Sequence, residues 1–227
     1  MRAFDLPRLL EAVPSSDPGR PALPCRVLDP LPGPVSRASL VLDLACIHVP
    51  PRTRMLLSGK GGASGSVEEL VIGWAHARLK SLVATLVSGD VRVAAYRADA
   101  AGLTGLGPGL TPTGDDLLVG LAAMARRLAG GGLVDVRAAV AFTTVLAGLP
   151  AGETTDAARG LLRAASEGRF PAVLATAVEL LGNPHADAES LRTVTARLAA
   201  TGAHSGADLL AGVLALVHGV VDAREGA

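Results

Sequence analysis

The chain has 227 residues, and its 21 Lys and Arg against 21 Asp and Glu leave no formal net charge. That balance removes any bulk attraction to nucleic acid or to an anionic membrane, and five scattered aromatics (Phe4, Trp74, Tyr96, Phe142, Phe170) cannot build a base-stacking platform. With 49% apolar and 19% charged residues the composition is that of a globular protein, long enough to bury roughly 70% of its unfolded surface without a disulfide or metal staple.

Residues 1–37 are rich in proline, which excludes a long helix and a central strand there. Asp5 and Glu11 stand where a signal peptide needs an apolar run, and the apolar stretch Leu209 to Val217 falls short of the ~20 residues that span a bilayer. Cys25 and Cys46 form no C-x-x-C pair and no metal-ligand spacing. The expectation is a soluble, cytoplasmic, reduced protein.

Residues 38–100 read as a β-containing part with one helix. The β-branched, apolar run Leu40 to Val49 predicts a strand, and Arg54 to Leu57 could pair with it across Pro50-Pro51. Ser58 to Gly65 is a loop by composition, with Lys60 at its tip. Ser66-x-x-Glu69 is a capping box opening a helix that Gly89 stops, and Val91 to Tyr96 predicts a short strand. Residues 101–227 are punctuated helix, at about 115–129, 135–147, 155–167, 171–181, 188–201 and 206–223, separated by glycine and proline. The architecture expected is α+β, a small β-containing N-terminal part followed by a larger helical part.

One segment is unlike ordinary scaffold: GLGPGLTPTGDD from Gly105 to Asp116, running into the apolar helix that starts Leu117-Leu118-Val119-Gly120. Gly105, Gly107 and Gly109 allow a tight turn and a close ligand approach, and Thr113 is a good N-cap with Asp116 three residues later. The first-turn N–H groups would then face a ligand, joined by the neighbouring Thr111 and Gly114. There is no Gly-Lys-[Ser/Thr] and no surrounding βαβ unit, so this is neither a Walker loop nor a dinucleotide fingerprint. Two adjacent aspartates would repel a bare phosphate. Either a divalent cation such as Mg²⁺ bridges Asp115 and Asp116 to a phosphate, or the aspartates accept N–H groups of a ureido or carbamoyl ligand while loop amides take its oxygens. Spacing leaves both open.

A partial second copy lies downstream. Thr113-Gly114-Asp115-Asp116-Leu117-Leu118-Val119-Gly120 matches Ser205-Gly206-Ala207-Asp208-Leu209-Leu210-Ala211-Gly212 in its Gly, Asp, Leu, Leu and Gly positions. Either two buried helices share one capping solution, or both N-termini open on one pocket with Asp116 and Asp208 paired across it. Thr155, in Glu153-Thr154-Thr155-Asp156, opens a further helix and is a lesser candidate, as is His204 beside the second motif.

The stretch Gly105 to Gly120 resembles the signature of the AllH-type subunit family of oxamate carbamoyltransferase. Thr154 to Phe170 and Gly202 to Gly212 resemble that family in the same order, and the likeness spans roughly residues 35–222. The resemblance implies a subunit working with an FdrA-like chain and a second large chain in allantoin or purine-nitrogen breakdown. Together they would transfer the carbamoyl group of oxalurate to phosphate, giving oxamate and carbamoyl phosphate. On that view Asp115, Asp116 and Asp208 are catalytic candidates, and Gly105, Gly107, Gly109, Thr111, Thr113, Gly114, Thr155, Ser205 and Gly206 contact substrate. A Mg²⁺-dependent phosphate enzyme and a non-catalytic assembly subunit remain the alternatives.

Overall fold

The computed structural model describes residues 25–28, 47–60, 66–150, 152–183 and 185–223. In chain order these are strand β1 (Cys25–Val27), helices α1 (Pro51–Ser58), α2 (Val67–Val87), α3 (Val93–Leu103), α4 (Thr113–Gly130), α5 (Val136–Ala147) and α6 (Asp156–Ser166), strand β2 (Arg169–Pro171), then α7 (Ala172–Leu181), α8 (Ala188–Ala199) and α9 (Ser205–Asp222). The molecule is mostly helical. Its one sheet among the described residues pairs β1 with β2 antiparallel, Arg26 opposite Phe170. Among the described residues the expected β-containing part, 38–100, holds no strand: β1 lies before it, in the Pro-rich segment, and its partner comes from between α6 and α7.

The helices of the second half start and stop close to the predicted limits because local chemistry marks their ends. Ser66 accepts a bond from the Glu69 N–H at the start of α2, and Asp135, Thr155 and Asp187 cap α5, α6 and α8 in the same way. Two expected strands are helices instead. Arg54 to Leu57 lies in α1, where Pro51 sits in the first turn and Gly59, at φ 66°, ends the helix. Val93 to Tyr96 lies in α3, with Tyr96 buried and edging Phe142 at 5.7 Å. Ile47 to Pro50 is not strand, and Leu40 to Cys46 lies outside the described residues, as does most of the Pro-rich start.

One contiguous apolar core takes residues from Leu28 to Val220. Its centre is the pair α4 and α9, both buried along nearly their whole length. By length and composition α2 and α9 could each cross a bilayer; here α9 is a core helix with 67% of its apolar window buried, and α2 has 33%.

The α4–α9 contact explains the repeated sequence. A Cβ on Gly120 would stand 2.1 Å from the Leu209 carbonyl oxygen, and one on Gly212 would stand 2.2 Å from that of Leu117. These two contacts exchange when each residue is replaced by its counterpart in the repeat, so the helices cross with an approximate two-fold relation. The preceding glycines match as well. A Cβ on Gly114 would meet the Leu103 carbonyl at 1.8 Å, and one on Gly206 that of Leu198 at 1.9 Å. Each helix start is thus pressed onto the end of the helix before it.

Candidate functional site

The crossing brings the two helix starts side by side, and their side chains interlock. Thr111 Oγ1 lies 2.5 Å from Ser205 Oγ, and both hydroxyls hydrogen-bond the Asp116 carboxylate. On the other side of the crossing, Arg52 of α1 reaches in. Its Nε donates to Asp208 Oδ1 at 2.6 Å, its Nη2 to Asp208 Oδ2 at 3.2 Å and to Thr113 Oγ1 at 2.8 Å, and its Nη1 to Glu68 Oε1 at 2.8 Å. Asp115 turns a third way: its Oδ2 accepts from the Gly105 N–H at 3.0 Å and the Thr154 hydroxyl at 2.7 Å.

All three aspartates are about 1% exposed, so they do not line an open cleft. Burial sets their chemistry. Desolvation raises the carboxyl of Asp115 against the hydrogen bonds from Thr154 and Gly105. Asp116 is pushed up to about 8, first by desolvation and then by the charges of Asp208 and Asp115, in opposition to the Ser205 and Thr111 hydroxyls. One oxygen on each carboxylate, Asp115 Oδ1 and Asp116 Oδ2, is buried with no hydrogen-bond partner. Buried polar atoms are rarely left so, because each forfeits solvation of about 1–3 kcal/mol.

Several expectations are corrected here. Helix α4 begins at Thr113, with Pro112 in the cap position, and Thr113 caps nothing: its hydroxyl serves Arg52. Ser205 is likewise the first residue of α9, behind His204. The amides expected to face a ligand are largely used within the chain. Gly114 N–H donates to Leu106, those of Asp115 and Asp116 to Pro112, that of Gly206 to Thr201, that of Asp208 to His204, and Gly105 N–H to Asp115.

The loop glycines do turn the chain, with φ of 71°, 105° and 108° at Gly105, Gly107 and Gly109. The first two also permit contact, since a Cβ on Gly105 would meet the Glu153 carbonyl and one on Gly107 the Thr113 hydroxyl. Thr155 caps α6 and its hydroxyl donates to the Leu110 carbonyl, tying the loop down. Asp208 and Asp116 come close enough to influence each other, yet Asp208 pairs with Arg52 and not with Asp116.

The adjacent Asp115 and Asp116 engage different partners, Thr154 and Gly105 on one side, Thr111 and Ser205 on the other. Among the described residues no group of three or more His, Cys, Asp or Glu side chains is placed to hold a metal ion. Arg52 and Thr154 are the site residues that sequence reasoning missed. Thr154 stood beside a chosen residue, but Arg52 lies 156 positions from Asp208 and in no motif.

A cavity of about 700 Å³ lies elsewhere, between α1, α2 and α9, with Leu79, Val83 and Ala215 in its wall and His76, Lys80 and His218 among its polar groups. His218 is ten residues beyond Asp208, about 15 Å along α9, so the cavity is separate from the aspartates.

Comparison with curated proteins and with solved structures finds no match. The family model described as oxamate carbamoyltransferase subunit AllH matches residues 103–217. That span runs from the last residue of α3 into α9 and holds the Gly-rich loop, the three aspartates and both halves of the repeat, though not Arg52. The chain belongs to the AllH family of oxamate carbamoyltransferase subunits.

Proposed function

We propose that this chain is the AllH-type subunit of a complex that transfers the carbamoyl group of oxalurate to phosphate, giving oxamate and carbamoyl phosphate. An FdrA-like chain and a second large chain are its partners, in the cytoplasm, in the breakdown of allantoin or purine nitrogen. The observation that carries a role for this chain in the chemistry is Asp116: a buried carboxyl with one unpartnered oxygen, raised to about 8, where two helix starts meet. Such a group holds its proton at neutral pH and can give or take one at a nitrogen or oxygen brought against it. The way in is placed at the loop from Gly105 to Thr111, because its Thr111 hydroxyl bonds Asp116 and it turns on three glycines of positive φ.

The test is oxalurate phosphorolysis by the chain reconstituted with its two partners. Asp116→Asn is expected to lower kcat by about 10²–10⁴-fold, the usual range for loss of a proton-transfer group, with the complex still assembled. Full activity in that variant would remove Asp116 from the chemistry.

A second reading, a non-catalytic assembly subunit, is favoured by the surface of α2. Val67, Leu70 and Trp74 are 78%, 62% and 61% exposed and follow one another at helical spacing. The neighbouring Glu68 holds Arg52, so a partner on this stripe would sit beside the Asp208 ion pair. Partner chains active without this one would favour that reading.

A further inference from the structure

The two-fold relation between α4 and α9 makes the two helix starts comparable group by group. Thr113 answers to Ser205, and Asp208 answers to Asp116. In one half, a hydroxyl on the first residue of α4 and a carboxylate on the fourth residue of α9 are bridged by the planar fork of Arg52, which satisfies both carboxylate oxygens. In the other half, the Ser205 hydroxyl meets the Asp116 carboxylate directly, joined by the Thr111 hydroxyl, and Asp116 Oδ2 is left bare although the residue is 1% exposed. No guanidinium enters this half among the described residues, and the hydroxyls of Thr111 and Ser205 leave Asp116 Oδ2 without the partner that a fork of N–H groups gives each oxygen of Asp208.

We propose that the Asp116–Ser205 half-site receives a planar group with N–H donors, of the ureido, carbamoyl or guanidinium type, in the manner that Arg52 fills the Asp208–Thr113 half-site. The incoming group takes the place of the Thr111 hydroxyl and supplies the missing partner to Asp116 Oδ2. Arg52 is thus a built-in image of the ligand. This deepens the carbamoyl-transfer reading and rests on it for the site, while the argument for an N–H fork comes from the repeat and the orphaned oxygen. Protonation separates the two kinds of ligand. A guanidinium pairs with the ionised carboxylate, whereas a neutral ureido group meets a carboxyl that keeps its proton by accepting the O–H at its carbonyl oxygen and returning an N–H to the other carboxyl oxygen. The charged groups that bear on Asp116 are Asp115, Asp208 and, through Asp208, Arg52.

The experiment uses the full chain and two probes, N-methylurea and N-methylguanidinium, followed by titration calorimetry and by backbone NMR shifts at Thr111, Asp116 and Ser205. One equivalent is expected to bind, with affinity raised at least fivefold by Thr111→Ala and lowered at least tenfold by Asp116→Ala. Ser205→Ala is expected to weaken it as well, and to serve where the Asp116 variant does not fold. In Arg52→Ala, a second equivalent of N-methylguanidinium is expected to bind and to raise the lowered Tm. Binding of methylguanidinium alone, growing as pH rises towards 8, would assign the half-site to an arginine of a partner chain; methylurea binding at neutral pH would assign it to substrate. Saturable binding to neither wild type nor Thr111→Ala, or binding indifferent to both Asp116 and Ser205, would overturn the proposal. A reconstituted complex inert towards oxalurate, with Asp116-dependent probe binding intact, would sink the activity and leave the half-site standing.

Discussion

Asp116 is more costly to bury as a charge than as an acid, and this has a signed effect on stability. Its folded-state pKa of about 8 lies above the ordinary 3.8, so between these values the folded chain binds the proton that the unfolded chain has lost. Stability from this group is therefore greatest below pH 4 and declines as pH rises towards 8. Thermal unfolding at intervals from pH 5 to pH 8.5 is expected to show Tm falling in the wild type more than in Asp116→Asn, the gap widening with pH. A gap that closes with rising pH would mean that the carboxylate is ionised and well paired. Arg52 acts in the opposite sense. Arg52→Ala leaves Asp208 buried without its cation, and chemical denaturation is expected to register a loss of about 3–5 kcal/mol. At this scale the aspartates were legible in the sequence, because paired carboxylates after a glycine-rich loop exceed what a helix cap requires. Arg52 was not, since only the folded chain brings α1 onto α9.

Among the elements, α4 and α9 touch through backbone, and two glycines make that possible. Gly120→Ala and Gly212→Ala would each drive a methyl to within about 2 Å of a carbonyl oxygen on rigid helix, where no rotamer change can yield. Each is expected to cost at least about 1–3 kcal/mol in equilibrium unfolding, and nearly equally, because the two contacts are equivalent. Gly152→Ala, which has open space around its would-be Cβ, is the control. The later helices were legible because Gly and Pro punctuate them, and the repeat was legible as a shared helix start. Its meaning was not: the pattern fits a shared capping solution or a shared pocket equally, whereas the Thr113 hydroxyl serves Arg52 and the Ser205 hydroxyl meets Thr111. The strands failed for a different reason. Arg54 to Leu57 and Val91 to Tyr96 are runs too short for periodicity to separate strand from helix, and packing decided for α1 and α3.

For the molecule as a whole, α2 divides its faces between the core and an apolar stripe outside. Ile72, Ala75 and Leu79 are buried while Val67, Leu70 and Trp74 are not. Trp74 is the sole tryptophan, so its emission reports that stripe without interference. The isolated chain is expected to emit at the long wavelength of a hydrated indole and to shift to shorter wavelength when the other carbamoyltransferase subunits are added. An unchanged spectrum on a complex formed in full would place the joint elsewhere.

The backbone seam between α4 and α9 also settles where compliance can reside. Where Gly120 and Gly212 bring main chain against main chain, no side chain stands between the helices to be re-sorted, so a change in their separation there has to move backbone. On the proposed reading, the yielding falls to the span from Gly105 to Gly109, held beyond it by Thr155 and Ser205, and a visitor to Asp116 would have to part those hydroxyl latches before it met the acid beneath.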